Sequence, residues 1–181
     1  MTDSYRHSVS VAGVVVRDDG RILAIKRRDN GDWQAPGGIL EADEQIEAGL
    51  RREVREETGL DVEPEQLTGI YKHMRLGVVA LVFTCRAVGG AAAETAEAVQ
   101  VDWLTPDEVT ENMTEAFAVR VYDALAGPWP HIRAHDGVHL VECGRPPAAL
   151  RPRGERRDQR LNDRPELVRY QPVCEGLIHG P

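Results

Sequence analysis

Residues 44–58, EQIEAGLRREVREET, constrain the fold most. At about 100° per residue, Ile46, Leu50 and Val54 line up as one narrow apolar stripe down a helix whose other faces are charged. Such a helix has to press that stripe onto an apolar surface, and the flanking sequence supplies one. Residues 9–16 (VSVAGVVV) and 21–28 (RILAIKRR) read as strands, joined by Asp18-Asp19-Gly20 into an expected hairpin. After a loop, residues 29–38, comes the helix, with Asp43 as expected N-cap and Gly59 as left-handed stop. Residues 67–74, 77–88 and 99–104 read as further strands, the second apolar enough to be central. Thr105-Pro106-Asp107-Glu108 has the form of a capping box, and residues 115–126 read as another helix ending at Gly127-Pro128. Residues 131–141 suggest one more hairpin around Asp136-Gly137. This order predicts an α/β sandwich with a mixed sheet and a helix on each side.

Composition narrows the class. The chain has 181 residues, suited to one domain with some chain to spare, and no run approaches the ~18 apolar residues of a membrane span. The N-terminus shows no export signal. Three widely spaced cysteines (Cys85, Cys143, Cys174) exclude a disulfide scaffold and point to the cytoplasm. The net charge of −8 argues against nucleic-acid binding through phosphates. Residues 1–143 are therefore expected to form the domain. Residues 144–181, rich in Arg and Pro and poor in large apolar side chains, are expected to be a flexible tail.

The helix carries the chemistry. Glu53 and Glu57 lie about 40° apart and Glu56 about 60° to the other side of Glu53, so three carboxylates share one arc. Clustering like charge opposes folding unless it has a task. Oxygen-rich clusters suit hard divalent ions such as Mg²⁺ or Mn²⁺. Arg52 stands where it can hold a carboxylate by a two-pronged hydrogen bond. A solvated, salt-bridged helix face is the bland reading of the same residues.

The whole pattern decides between them. Gly38, Glu44, Arg52-Glu53, apolar Val54, Glu56-Glu57, Gly59 and apolar Leu60 stand at the spacing of the Nudix box, and the segment resembles it at every defining position. Seven such fixed residues would match by chance at about one start site in 10⁸. The preceding residues 33–38 (WQAPGG) and the later 101–104 (VDWL) also resemble that family, so the chain is identified as a member of the Nudix (MutT-like) hydrolases over residues 9–126.

The resemblance implies a Nudix fold, an α/β/α sandwich whose box forms a loop–helix–loop. It implies cleavage of a pyrophosphate bond in a nucleoside diphosphate derivative by a metal-activated water, with Mg²⁺ or Mn²⁺ as cofactor. Carried over residue by residue, Glu53, Glu56 and Glu57 are metal ligands, joined by the backbone carbonyl of Gly37. Glu53 orients or deprotonates water, Glu44 and Arg52 set the loop–helix geometry, and Gly38 and Gly59 shape its ends. Gly49 departs from the family's usual alanine, at a helix cost of about 1 kcal/mol.

Other roles follow from placement. Lys26, Arg27 and Arg28 end the second strand; Arg27 and Arg28 point to opposite faces, and Arg28 is the candidate to grip a substrate phosphate. Glu94 and Glu97, in the small-residue loop 89–98, are candidates for a base outside the box, Glu97 foremost. Trp33 is read as packing rather than stacking on a base. His131, His135 and His139 would align on a helix, but the Asp-Gly turn between them argues against a zinc site. No SQPWPFP-like signature follows the box, and Pro64 is the only proline between Leu60 and Trp103. That leaves a nucleoside triphosphate, including oxidised forms, as the expected small-molecule partner, with a nucleotide sugar as the near alternative. A homodimer is compatible with the resemblance. The competing class is a Nudix-shaped nucleotide sensor without turnover.

Overall fold

A computed structural model describes residues 6–96 and 98–141. Its elements run β1 (Ser8–Val15), β2 (Ile22–Arg27), β3 (Trp33–Gln34), β4 (Gly37–Ile39), α1 (Ile46–Thr58), β5 (Leu60–His73), β6 (Val78–Gly90), β7 (Ala98–Leu104), α2 (Pro106–Asn112), α3 (Glu115–Ala126), β8 (His131–His135) and β9 (Leu140–Val141). They build two sheets, one of six strands ordered β4-β1-β6-β5-β8-β9 and one of three ordered β3-β2-β7. The larger sheet is mixed: β1 runs parallel to β6 and antiparallel to β4, while β5 runs antiparallel to β6 and parallel to β8.

Alternation along β1 explains the layers. Val11 and Val15 face the stripe of α1, in a core with Leu50, Val54, Leu23, Leu60, Val62 and Cys85. Ala12 and Val14 face the other way, into a core shared with Val119 and Val121 of α3 and Val109 of α2. The apolar positions of α1 thus cover one side of the β1–β6–β5 surface and α3 the other, the sandwich expected from the pattern. Among the described residues no helix is long and apolar enough to cross a membrane.

Four expectations need correction. The turn at residues 17–20 forms, with Arg17 N–H donating to Arg21 O and Gly20 N–H to Arg17 O, but only the Val16–Ile22 bridge continues it. Both edges of β1 are already taken, by β4 and β6, so β2 leaves to join β3 and β7 in the second sheet. The loop 29–38 holds short strand β3 and the start of β4, because each finds a free neighbouring edge. Gln45 rather than Asp43 occupies the N-cap of α1 and makes no side-chain cap bond there. Lastly, β5 begins at Leu60, seven residues early, and tolerates Pro64 at a register shift between Pro64 and Gln66.

The other boundaries hold. Gly59 caps α1 in the left-handed region (φ 77°), its N–H donating to Arg55 O. The Thr105 capping box closes in both directions, and α3 spans the expected residues. β8 and β9 form the expected hairpin. The tail, residues 144–181, lies outside the described residues.

Candidate active site

Sheet pairing brings the two ends of the motif together. β4 lies on β1 with Val11 opposite Gly38 and Ala12 opposite Gly37, which carries the glycine pair under the middle of α1. Gly37 has φ 154°, and a Cβ there would stand 2.1 Å from Val11 O, so only glycine fits. Its N–H donates to Glu57 Oε2 at 2.6 Å. At Gly38 a Cβ would meet Glu53 Oε2 at 2.3 Å; the missing side chain is the space the Glu53 carboxylate occupies.

Arg52 organises the rest. Its Nε and Nη2 donate to Glu44 Oε1 and Oε2 at 2.7 and 2.8 Å, the two-pronged pairing expected from the sequence. Its Nη1 donates to both Glu53 Oε1 and Glu56 Oε2 at 2.9 Å. Hydrogen bonding to Glu44, first of these contacts, raises the guanidinium well above its ordinary range, and the same bond lowers Glu44. Glu53 and Glu57 are buried while Glu56 is half exposed at 48%. One guanidinium therefore serves three carboxylates (Glu44, Glu53, Glu56), a formal balance of 1 − 3 = −2 within its hydrogen-bonded reach, while the Gly37 amide holds Glu57. Arg27 adds a more distant attraction to Glu57 while paired to Asp29 at 2.7 and 2.8 Å. Among the described residues no group of three or more His, Cys, Asp or Glu side chains stands placed to hold a metal ion.

Gly49 has a purpose the sequence did not disclose. A methyl there would stand 2.3 Å from Leu40 Cδ2 and 2.6 Å from Glu44 Oε2. The glycine lets Glu44 lie across the helix to reach Arg52. At the far end of α1, Ala93 N–H donates to Thr58 O and Thr95 Oγ1 to Glu57 O, tying the loop before β7 to the helix terminus.

A cavity of about 420 Å³ opens beside the glycine pair, lined among others by Arg27, Gly37, Gly38, Tyr71, Phe117 and Arg120. Arg28 does not line it; its Nε donates to Ala96 O at 3.1 Å, and alternation puts Arg27 on the cavity wall instead. Glu94 is exposed in its loop, and Glu97 lies outside the described residues. Trp33 packs in the core beneath Lys26. The β8–β9 hairpin separates the three histidines: His135 is fully buried, whereas His139 is exposed beside Glu115. Sequence reasoning missed the inner end of the cavity. Tyr71 and Arg120 line it: Tyr71 Oη donates at 2.8 Å to Asp123, which also accepts from Arg133 at 2.6 and 2.7 Å, and Arg120 lies buried against aromatic rings. The available signal was an arginine within the apolar run AFAVRVYDAL of α3.

Comparison with known proteins agrees with this geometry. Residues 6–125 match the NUDIX domain. A "MutT-like protein" from Streptomyces ambofaciens is 59% identical over 138 residues, covering 76% of this chain and 90% of that one. The human "8-oxo-dGDP phosphatase NUDT18" is 34% identical over 135 residues, 73% of this chain and 37% of that one. The crystal structure of an ADP-ribose pyrophosphatase from Streptococcus suis superposes with a TM-score of 0.61 at 23% identity, covering 70% of this chain and 98% of that one.

Proposed function

This chain belongs to the Nudix hydrolase family, and from that premise we propose that it hydrolyses the pyrophosphate bond of a small nucleotide, a nucleoside triphosphate or a nucleotide sugar, with Mg²⁺ or Mn²⁺. The observation that supports this reading most is the Arg52-centred carboxylate cluster, set beside a cavity through the Gly37–Gly38 pair.

The donor set suits a divalent cation. It consists of hard carboxylate oxygens, outnumbers the one guanidinium among them, and lies over Gly38, where a side chain would fill the space. Glu53, Glu56, Glu57 and the Gly37 carbonyl would hold the ion. When bound, such an ion neutralises the diphosphate and acidifies water near it. The chain's own residues do the rest. Arg52 sets the orientation of Glu53 and Glu56 before substrate arrives, so little reorganisation remains for the reaction. Glu53, buried, accepts the proton of the attacking water at its carboxylate. The Gly37 amide keeps Glu57 facing the same loop. Arg27, on the cavity wall, grips a phosphate oxygen of the substrate, the role that placement takes from Arg28. Most of the rate gain comes from positioning and charge, as in phosphoryl transfer generally.

The names of the relatives widen rather than narrow the substrate: one acts on 8-oxo-dGDP and another on ADP-ribose. A nucleotide panel with Mg²⁺, analysed for phosphate, pyrophosphate and nucleoside monophosphate, tests the proposal. Metal-dependent turnover of at least one diphosphate-containing nucleotide is expected. Tight nucleotide binding without any turnover would instead favour the sensor.

A further inference from the structure

We propose that Arg120 reads the base of the substrate and selects a purine with a 6-oxo group, guanine or hypoxanthine, over adenine. This rests on the nucleotide-hydrolase reading above. Arg120 projects from α3 into the cavity that also contains Gly37 and Gly38, and only 9% of it is exposed. Among the described residues no carboxylate pairs with it. Its Nη2 lies 3.1 Å from His135 Nε2, its guanidinium carbon 4.6 Å from the Phe117 ring centre and 5.2 Å from that of Tyr71. Its Nε is buried and has no hydrogen-bond partner among the described residues.

His135 cannot complete this arrangement. An arginine only donates, so His135 Nε2 must accept, which puts the ring proton on Nδ1. That Nδ1 is also buried without a partner among the described residues. Both atoms are sealed from solvent, so what the cavity meets is the rest of the Arg120 guanidinium, a buried cation. A buried donor left unpaired is costly, and a buried cation without a counter-charge more so. A fold without a ligand to recognise gains nothing from such an arrangement.

The cavity's two ends determine which acceptor arrives. Phosphates belong beside the carboxylate cluster and the glycine pair, so whatever is attached to them extends toward Arg120. The cavity lining includes Ala12, Val78, Ala80 and Phe117, which suit the faces of a flat ring, together with His73, which feels the Arg120 charge. A second phosphate is a poor occupant: Arg120 is a single cation, with apolar walls around it and Asp123 committed to Arg133 and Tyr71. A 6-oxopurine presents O6 and N7 as adjacent acceptors, the pair a guanidinium matches with two bonds. Adenine presents an amino group at position 6, donor against donor. The oxidised base 8-oxoguanine keeps O6 but carries a proton on N7, so oxidation leaves one of the two bonds and sets donor against donor at the other.

The test is binding of the monophosphates IMP, GMP and AMP by calorimetry, which needs no turnover, together with kcat/KM for ITP against ATP. Wild-type protein is expected to prefer IMP and GMP to AMP by about tenfold to hundredfold, the usual worth of a two-bond base contact. Arg120→Met should abolish that preference while its thermal midpoint does not fall, because it replaces an unpaired buried charge with an apolar chain of similar length. Equal binding of IMP and AMP by the wild type would overturn the proposal whatever the variant does. So would an Arg120→Met protein that keeps the preference or loses several degrees of midpoint, either of which makes Arg120 structural. If no nucleotide is hydrolysed yet IMP is preferred, the base reading stands and the hydrolase reading falls. Turnover without base preference has the opposite meaning.

Discussion

Glu53 and Glu57 differ from an ordinary helix-surface pair in being buried, and burial makes their replacement informative. Glu53→Gln keeps shape and packing but removes the proposed proton acceptor, so turnover is expected to fall by about 10²–10⁴, the range for a lost general base. Circular dichroism should be unchanged. The clustering of Arg52 with Glu53 and Glu56, and of Glu57 beside them, was legible in the sequence because helical periodicity and the motif spacing agree on it. Arg120 was not: one arginine in an apolar helix reads equally as a snorkelling surface residue, and only the tertiary fold places it over a cavity. That Arg27 rather than Arg28 lines the cavity was hidden for a related reason. Alternation tells that Arg27 and Arg28 face opposite ways but not which way is inward, and that depends on which sheet β2 joins.

The loop–helix unit allows two neighbouring glycines to be separated by effect. Gly37→Ala puts a methyl against backbone at Val11 O and demands a positive φ, so it should cost about 1–3 kcal/mol in denaturant unfolding. Gly38→Ala meets the carboxylate end of the Glu53 side chain rather than backbone. It should fold nearly normally and lose turnover by at least about tenfold, since a displacement of order 1 Å at a catalytic group costs that much or more. Thr105→Ala, which breaks the capping box of α2 away from the site, should cost about 1 kcal/mol with kcat unchanged. Caps and helix ends with strong local chemistry, Thr105 and Gly59, were readable in advance. Asp43 was not the cap because Arg52 draws Glu44 inward, and the chain enters the helix one residue after it.

At the level of the whole molecule, two-sheet architecture was the part the sequence concealed. Asp18-Asp19-Gly20 encodes a turn, but whether its flanking strands stay paired depends on β4 and β6 claiming the edges of β1, contacts made across long stretches of chain. The same long-range packing seals His135 between the sheet and α3. Burial first, then Arg120, pushes its pKa from 6.5 down to about 4. Below pH 6.5 the unfolded imidazole takes up a proton that the folded one refuses until about pH 4, so the unfolded state binds more protons across that window. Stability should therefore be level in this respect above pH 6.5 and fall as pH drops through the window, by roughly 3 kcal/mol at about 1.4 kcal/mol per pKa unit. Denaturant midpoints of wild type and His135→Asn, compared from pH 7 to 4, should converge toward acid if this is correct. Cys85, buried and with its thiol pushed up to about 12, should stay inert to thiol reagents until the protein unfolds.

The measurement that bears most directly on the account is Mn²⁺ binding, followed by loss of the free-ion electron paramagnetic resonance signal. Wild-type protein should take up the ion, release it to EDTA, and bind it at least about tenfold more tightly than Glu53→Gln or Glu57→Gln, in line with a lost charged ligand. Equal Mn²⁺ affinity in all three proteins would contradict the assignment of these carboxylates.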